Sequence, residues 1–253
     1  MTGSIGVSRD RLCAVRIIAF SLWGRDPKYV IGAIRNAELG PRIYPGWICR
    51  FYCGASTPID AVATLEAFPH VEVVRRTEDG DWTGMFWRFL AAADRAVDVA
   101  IFRDTDSRLG ARERAAVDAW LATDRPAHVM RDHPMHDVPI LGGMWGVRGG
   151  ILPDIAALIG GRPREARWQI DQEFLAETIA PRLRRQWIEH DEYFARMKFP
   201  TVRRGREYVG QPFDEHDRPL LPGPTTLERR LRQAARDVRR VLTAPLLSRG
   251  SRA

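Results

Sequence analysis

The sequence has 253 residues, of which 45% are apolar and 28% are charged, and its net charge is +7. This composition excludes a disordered chain, and the length suffices for one large domain with its own core. No run approaches the ~20 apolar residues of a membrane-spanning helix, and the first 12 residues lack the apolar stretch of a secretory signal. Three cysteines are too few for a disulfide framework. We therefore expect a cytoplasmic protein.

The positive charge is concentrated near the C-terminal end. Residues 225–253 contain eight arginines and two acidic residues, whereas the rest of the chain is close to neutral. Apolar residues on one helical stripe and arginines around it predict an amphipathic helix that binds anionic lipid on the inner face of the cell membrane. Packing on the body, dimerisation and a solvated tail are the alternatives. No nucleic-acid-binding module is evident, so no nucleic-acid partner is expected.

The first half of the chain alternates short apolar runs with segments of helical spacing. Strands are predicted at 15–21, 47–52, 71–74 and 97–102, and helices at 28–39, 57–68, 84–93 and from 111 onward. Asp26 before Pro27 predicts a capped helix start. This alternation predicts an α/β fold, with a mainly parallel sheet and helices on both faces.

The second half is less regular. It has a glycine-rich strand candidate at 140–147, helix candidates at 152–159 and 170–178, and a strand candidate at 185–189. A proline-rich linker, 219–224, precedes the basic segment. We predict a domain at 12–217, followed by the linker and the basic helix at 218–253.

An acidic pair, Asp104 and Asp106, directly follows the strand predicted at 97–102. Open α/β sheets bind ligands at the carboxyl ends of their strands. Carboxylates two residues apart suit Mg²⁺ or Mn²⁺, which can neutralise a diphosphate leaving group. Arg108 does not fit the motif of haloacid-dehalogenase-type phosphatases, and Arg108 with Leu109 does not fit an EF-hand loop. A solvated turn is the structural alternative.

Several short motifs occur in an order that resembles GT-A-fold glycosyltransferases. In chain order they are IIAFSLWG, GMFWRFLAA, VAIFRDTDSR, ILGGMWGV, DQEFL and EHDEYF. The order is similar to that of family 8 retaining transferases and of bacterial capsular-polysaccharide-associated proteins, and it spans residues 14–215. The resemblance implies a metal-dependent enzyme of hexosyltransferase type. Such an enzyme would move a sugar from a nucleotide-diphosphate sugar, expected to be a UDP-sugar, to a polysaccharide or glycoconjugate acceptor with retention of configuration.

The resemblance also implies a donor site. Asp104 and Asp106 would hold Mn²⁺ or Mg²⁺, with His190 as a third ligand. Contacts to the nucleotide and its diphosphate are expected from Ser21, Arg25, Arg88, Arg103, Asp104 and Asp106. The alternative for Arg88 is an internal ion pair with an aspartate, because a charge on an apolar segment needs a partner.

Catalytic and sugar-binding candidates lie in the second half. Asp171, Gln172 and Asp191 are the catalytic candidates, and inversion of configuration would instead use Asp191 or Asp132 as a general base. Saccharide contacts are expected from Arg131, Asp132, His133, Gly142 and Gly143. The two glycines would let the backbone approach a ligand closely, and a bulge is their structural alternative.

Two other functions are left open by the sequence. A non-catalytic scaffold in polysaccharide assembly would bind a sugar or nucleotide without turnover. A metal-dependent phosphate-ester hydrolase would release phosphate without any acceptor.

Overall fold

A computed structural model describes residues 14–163, 165, 167–203, 205 and 207–220. Its strands are β1 Arg16–Leu22, β2 Ile48–Cys53, β3 Val71–Arg75, β4 Val99–Phe102, β5 Ala127–Arg131, β6 Trp145–Arg148 and β7 Trp187–Asp191. Its α-helices are α1 Pro27–Ile43, α2 Ile59–Glu66, α3 Ala111–Leu121, α4 Ile155–Gly160, α5 Ile170–Phe174 and α6 Ala180–Leu183. A 3₁₀ helix covers Trp82–Ala93, and a π-helical turn covers Leu175–Ile179.

In the described residues, the seven strands form one sheet in the order β3-β2-β1-β4-β6-β5-β7. Strand β6 runs antiparallel to both of its neighbours, and every other neighbouring pair is parallel. The predicted α/β class, a mainly parallel sheet flanked by helices, is therefore confirmed. The basic helix predicted within 225–253 lies outside the described residues, and the domain boundary at 217/218 stays a prediction.

Both faces of the sheet are buried, as a parallel sheet requires. Along β1, Ile17 and Ala19 join a core that includes residues of the 3₁₀ helix and of α4–α6. Ile18 and Phe20 join a second core, together with residues of α1, α2 and α3. Because β1 is buried on both faces, side chains that could face a ligand lie beyond its carboxyl end.

Helix α1 begins as predicted. The side chain of Asp26 accepts a hydrogen bond from the Lys28 amide at 2.9 Å, and Pro27 occupies the first turn. The helix is longer than predicted and continues to Ile43, with Pro41 inside its last turns.

Two segments differ from the sequence-based expectation. Strand β5 was not predicted, because its buried polar residues, His128 and Arg131, hide the apolar pattern of a central strand. The glycine-rich strand candidate begins only at Trp145, and Gly142 and Gly143 form a turn before it. This turn brings the backbone to the site described below.

No helix in the described ranges is long and apolar enough to cross a membrane. Cys49 and Cys53 are free and buried in β2, and burial raises the pKa of each thiol to about 12. These cysteines are therefore packing residues. The cytoplasmic location expected from the sequence stays a prediction.

Candidate active site

A cleft of about 440 Å³ opens at the carboxyl ends of β1 and β4. We call it the aspartate cleft. It is lined by eight of the residues predicted for the site: Ser21, Arg25, Arg88, Asp104, Asp106, Gly142, Asp171 and Gln172. The other predicted residues do not line it: Arg103, Arg131, Asp132, His133, Gly143, His190 and Asp191.

The loop that carries both aspartates is held by helix α1. Asn36 is fully buried, and its side-chain amide donates to the backbone oxygens of Thr105 at 3.2 Å and Ser107 at 2.8 Å. Its side-chain oxygen accepts from the Leu109 amide at 3.0 Å. A Cβ at Gly32, one helical turn earlier, would overlap the Thr105 carbonyl. The loop is therefore clamped against α1, and the direction of the carboxylates follows from that clamp.

The glycine turn before β6 closes the opposite side of the loop. A Cβ at Gly143 would overlap the carboxylate of Asp104. A Cβ at Gly142 would overlap the carboxylate of Asp171 and would lie 2.5 Å from Nη2 of Arg88. Glycine is thus required here because the backbone touches the charged groups directly. A role of these glycines in binding sugar stays a prediction.

Arg88 connects two acidic groups of the cleft. Its Nη1 donates to Asp104 at 2.6 Å and its Nη2 donates to Asp171 at 2.8 Å. The guanidinium is buried, as is Asp171, whereas the side chain of Asp104 is 45% exposed. Ser21 accepts from the Arg88 amide at 3.0 Å, which fixes the 3₁₀ helix to the end of β1. The internal ion pair considered from the sequence is therefore present, and it lies in the cleft wall.

Lys28 is a residue of the site that sequence reasoning missed. Its Nζ donates to Asp106 at 2.9 Å and lies 4.3 Å from the centre of the Tyr29 ring. The sequence did contain a signal for Lys28. The chain has only two lysines, and Lys28 is the one that follows a helix cap close to the end of a strand.

The charges of the aspartate cleft are not balanced. Five carboxylates line the cleft, those of Asp26, Asp81, Asp104, Asp106 and Asp171. They face three cations, those of Arg25, Arg88 and Lys28. Burial and the neighbouring charge of Asp104 raise the pKa of Asp106, against the opposing effect of Lys28. Burial also raises the pKa of Asp171, although Arg88 lowers it. A further cation would relieve this excess of negative charge.

The pair of carboxylates fits a hard divalent cation. One oxygen of Asp104 is bound by Arg88 and one oxygen of Asp106 by Lys28, which leaves the second oxygen of each for a metal. Magnesium is commonly held by one or two carboxylates together with substrate phosphates. In the described part of the chain, no group of three or more histidine, cysteine, aspartate and glutamate side chains could hold a metal. His190 is therefore not brought to the aspartates as a third ligand.

His190 instead pairs with a second buried histidine. Its Nδ1 lies 2.8 Å from Nε2 of His128, in a single hydrogen bond between two neutral rings. Burial lowers the pKa of His190 to about 4 and that of His128 well below its usual value. This pair lies on the adjacent strands β5 and β7 and supports their packing.

Two predicted aspartates outside the cleft, Asp132 and the catalytic candidate Asp191, are held in ion pairs with arginines. Asp132 is fully buried and accepts from Arg112, from Arg203 and from the Val209 amide. Asp191 is also fully buried, and it accepts from Arg131 at 2.5 Å and from two backbone amides. We call the following set the β5–β7 network: His128, Arg131, Asp132, His133, His190, Asp191 and the arginines that bind them.

Two further predicted residues lie away from the cleft. Arg103 is buried in the sheet, where its Nε donates to Glu113 at 3.2 Å and its Nη1 donates to the Phe102 carbonyl at 2.7 Å. His133 packs its ring 4.5 Å from Tyr208. The structure brings neither side chain to the two aspartates.

Aromatic residues form part of the cleft rim. Trp82 and Trp168 both line the cleft, and they are 42% and 67% exposed. Gln169, next to Trp168, has a left-handed φ of 65°, a conformation that costs energy in a non-glycine residue. Sequence reasoning missed Trp168, since its segment has no regular pattern.

Comparison with known proteins gives likeness in fold only. The sequence matches no family model and no curated protein. A glycosyltransferase involved in the glycosylation of the major capsid of PBCV-1 is 16% identical, with 72% of this chain and 82% of that chain covered and a TM-score of 0.49. The mannosyltransferase PcManGT from Pyrobaculum calidifontis, solved with GDP-Man and Mn²⁺, is 17% identical, with 70% and 55% covered and a TM-score of 0.48.

A third solved structure has a different activity. The 4-diphosphocytidyl-2C-methyl-D-erythritol synthase from Anaerococcus prevotii is 8% identical, with 74% of this chain and 91% of that chain covered and a TM-score of 0.47. Because all three scores lie below 0.5, the functional argument that follows depends on the residues of this chain.

Proposed function

We propose that the chain is a metal-dependent glycosyltransferase that uses a nucleotide-diphosphate sugar. The observation that carries the proposal is the clamped pair Asp104 and Asp106, which faces an open cleft with an excess of negative charge beside the buried Arg88. Asp171 adds a further carboxylate to the cleft, and it is held by the same arginine.

Asp104 and Asp106 would hold Mn²⁺ or Mg²⁺, which supplies charge neutralisation to a diphosphate. Arg25 lines the same cleft, and Lys28 reaches it through Asp106. Both side chains are cations that a donor phosphate could approach. Arg88 acts mainly by position, because its two terminal nitrogens are already bound to carboxylates.

Asp171 is the carboxylate that we assign to the reacting sugar. One of its oxygens is held by Arg88, and the other accepts from the Gln172 amide at 2.9 Å. Glycosyl transfer passes through an oxocarbenium-like centre, which a fixed carboxylate stabilises. Asp132 and Asp191, the bases considered for inversion, are both saturated with hydrogen bonds outside the cleft. These contacts favour retention of configuration in our proposal.

The donor and acceptor belong to the proposal as well. We propose a UDP-sugar as donor and a polysaccharide or glycoconjugate as acceptor, with hexosyl transfer as the reaction. Support for a saccharide acceptor comes from Trp82 and Trp168, whose exposed rings at the cleft rim can pack on the apolar face of a sugar.

Calorimetry with a panel of nucleotides and nucleotide sugars tests the proposal. We expect binding of one nucleoside-diphosphate sugar with Mn²⁺ and none with a chelator, followed by release of the nucleoside diphosphate when an acceptor is present. Binding without turnover would support the scaffold instead. Release of phosphate without acceptor would support the hydrolase, and release of pyrophosphate would indicate nucleotidyl transfer.

Membrane attachment through 225–253 is a separate proposal, based on the arginine-rich amphipathic sequence. Deletion of this segment is expected to abolish binding to vesicles that contain anionic lipid and to leave donor binding unchanged. Equal vesicle binding by the shortened chain would contradict it.

A further inference from the structure

A second cavity lies behind the aspartate loop, and it shares no lining residue with the aspartate cleft. Its volume is about 430 Å³, within the range of small-molecule sites. Three parts of the chain form it: the end of the aspartate loop, the first turn of α3, and residues from 201–202 and 207–213. We call it the Gln211 cavity.

Gln211 lines this cavity and is 2% exposed. Neither its side-chain nitrogen nor its side-chain oxygen has a hydrogen-bond partner among the described residues. A buried amide without partners costs free energy, and native proteins rarely leave one in place. A ligand that both donates and accepts hydrogen bonds would remove this cost.

The start of α3 supplies additional donors to the same cavity. The helix has 11 residues, and its cap, Gly110, has no side chain to satisfy the first amides. The amides of Ala111, Arg112 and Glu113 therefore lack partners within the helix, and all three residues line the cavity. Nη2 of Arg108 is also buried without a partner. The cavity thus offers several donors, and its lining also contains acceptors in the Gln211 side-chain oxygen and the carboxylates of Glu113 and Glu207.

The charges decide between an anionic and a neutral ligand. Arg108 is paired with Asp217 at 2.7 Å, and Arg112 is paired with Asp132 and Glu192 at 2.9 Å each. Both guanidinium groups are therefore neutralised before any ligand binds. The dianion of a phosphate monoester could accept from the helix amides, but its phosphate group carries no hydroxyl that could donate to the Gln211 oxygen. Hydroxyl groups satisfy both atoms of the amide.

We propose that the Gln211 cavity is a second binding site, for a neutral hydroxyl-rich ligand of the size of one monosaccharide unit. Leu109, Val209 and Phe213 provide apolar walls for the carbon skeleton. The Phe213 amide donates to the backbone oxygen of Asp106 at 2.8 Å. The wall of this cavity therefore contacts the aspartate loop through the backbone. The inference does not rest on the proposed transferase function, because binding alone defines it.

Nuclear magnetic resonance of the ¹⁵N-labelled full chain tests the site directly. The probes are glucose, galactose, mannose and N-acetylglucosamine, with inorganic phosphate as the anionic comparison. We expect at least one sugar to shift the Gln211 side-chain amide and the backbone amides of Gly110 and Arg112. The absence of such shifts with every sugar, or larger shifts with phosphate, would overturn the proposal.

A variant at Gln211 tests the proposed contact. Gln211→Leu is expected to weaken sugar binding by about tenfold, since it removes hydrogen bonds to the ligand. It is also expected to raise the Tm of the free protein, because the unpaired amide is gone. The exposed glutamine at position 186 provides the matched control, and Gln186→Leu should change neither quantity.

Unchanged sugar affinity in Gln211→Leu would contradict the assignment. If that variant does not fold, Gln211→Glu replaces it, because this substitution keeps the size and removes the donors. Asp104→Asn is expected to leave sugar binding at this cavity intact. The variants therefore distinguish failure of the proposed donor site from failure of the proposed sugar site at Gln211.

Discussion

The aspartate cleft and the β5–β7 network contain the same kinds of residues and differ in how they are satisfied. Both lie at the carboxyl ends of strands, and both combine aspartates with arginines. In the cleft, Asp104 and Asp106 each accept one side-chain hydrogen bond. In the network, the Asp132 carboxylate accepts three hydrogen bonds from arginine side chains and one from the Val209 amide. The first region keeps free ligand capacity, whereas the second has used it for folding.

The pKa of Asp106 in the cleft and the pKa of Asp132 in the network are shifted in opposite directions. Burial and the charge of Asp104 raise the pKa of Asp106. For Asp132, burial opposes the shift, but hydrogen bonds from Arg112 and Arg203 lower the pKa. A carboxylate whose ionisation is already supported has little to gain from a new cation. The contrast teaches that a dense cluster of polar residues marks a site only where its charges are left unsatisfied.

The largest expected effect comes from replacing aspartates of the cleft and comparing them with an aspartate of the network. Asp104→Asn and Asp106→Asn should each lower metal-dependent turnover about 100-fold or more without unfolding the chain, because the cation loses a charged ligand. Asp132→Asn is the matched control. It should lower the free energy of unfolding by about 3 kcal/mol and leave donor binding by the folded protein intact. Turnover assays and chemical denaturation of all three variants measure this. Full activity in both cleft variants would remove the functional distinction.

A smaller effect is expected at Asn36, which connects the cleft to α1. Asn36→Ala should cost about 2 kcal/mol of stability and weaken metal-dependent donor binding about 10–100-fold, as loss of a supporting contact does. Arg35→Ala on the same helix removes an exposed ion pair and should change stability by less than about 0.5 kcal/mol. Denaturation and calorimetry compare the two variants. Unchanged donor affinity in Asn36→Ala would show that the loop holds its position without the helix.

The last prediction concerns the pH dependence of stability and the histidines. Burial lowers the pKa of His136 and His190 to about 4, whereas an unfolded histidine titrates near ~6.5. The unfolded chain therefore binds more protons between these values, and stability falls as the pH decreases from about 6.5 to 4. For each histidine, the free energy of unfolding changes by at most about 1.4 kcal/mol per pH unit.

Asp171 opposes this trend at its acidic end, because its folded-state pKa is raised and its protonation favours the native state. Urea denaturation across the pH range measures the net slope. His216→Ala replaces an exposed histidine outside the β5–β7 network and should keep the slope of the parent chain. A flat profile between pH 6.5 and 4 would contradict the assignment of the buried histidines to folding.

Local sequence patterns predicted most of the fold and the two aspartates at the centre of the site. The caps and apolar spacing predicted β1, α1 and β4, and the acidic pair after β4 does line a cleft. Contacts between segments that are far apart in the sequence could not be predicted from local patterns. Asn36 is the only asparagine of the chain, yet its partners lie about 70 residues away, at Thr105 and Ser107.

Three of the predicted saccharide contacts, Arg131, Asp132 and His133, lie outside the aspartate cleft, and their role in binding stays a prediction. They stand out in the sequence because they belong to a dense run of polar residues. In the structure, the buried charges of Arg131 and Asp132 are paired within the protein. A sequence alone does not distinguish a charge paired internally from one reserved for a ligand.

The clamp around the aspartate loop has a consequence for protein engineering. The motif Asp104–Asp106 is only three residues long, but its geometry depends on Gly32 and Asn36 on one side and on Gly143 on the other. A designer who grafts only the motif onto another α/β scaffold would transfer the carboxylates without their direction. The portable unit is the loop together with one helix face and one glycine turn, drawn from three separate stretches of the chain.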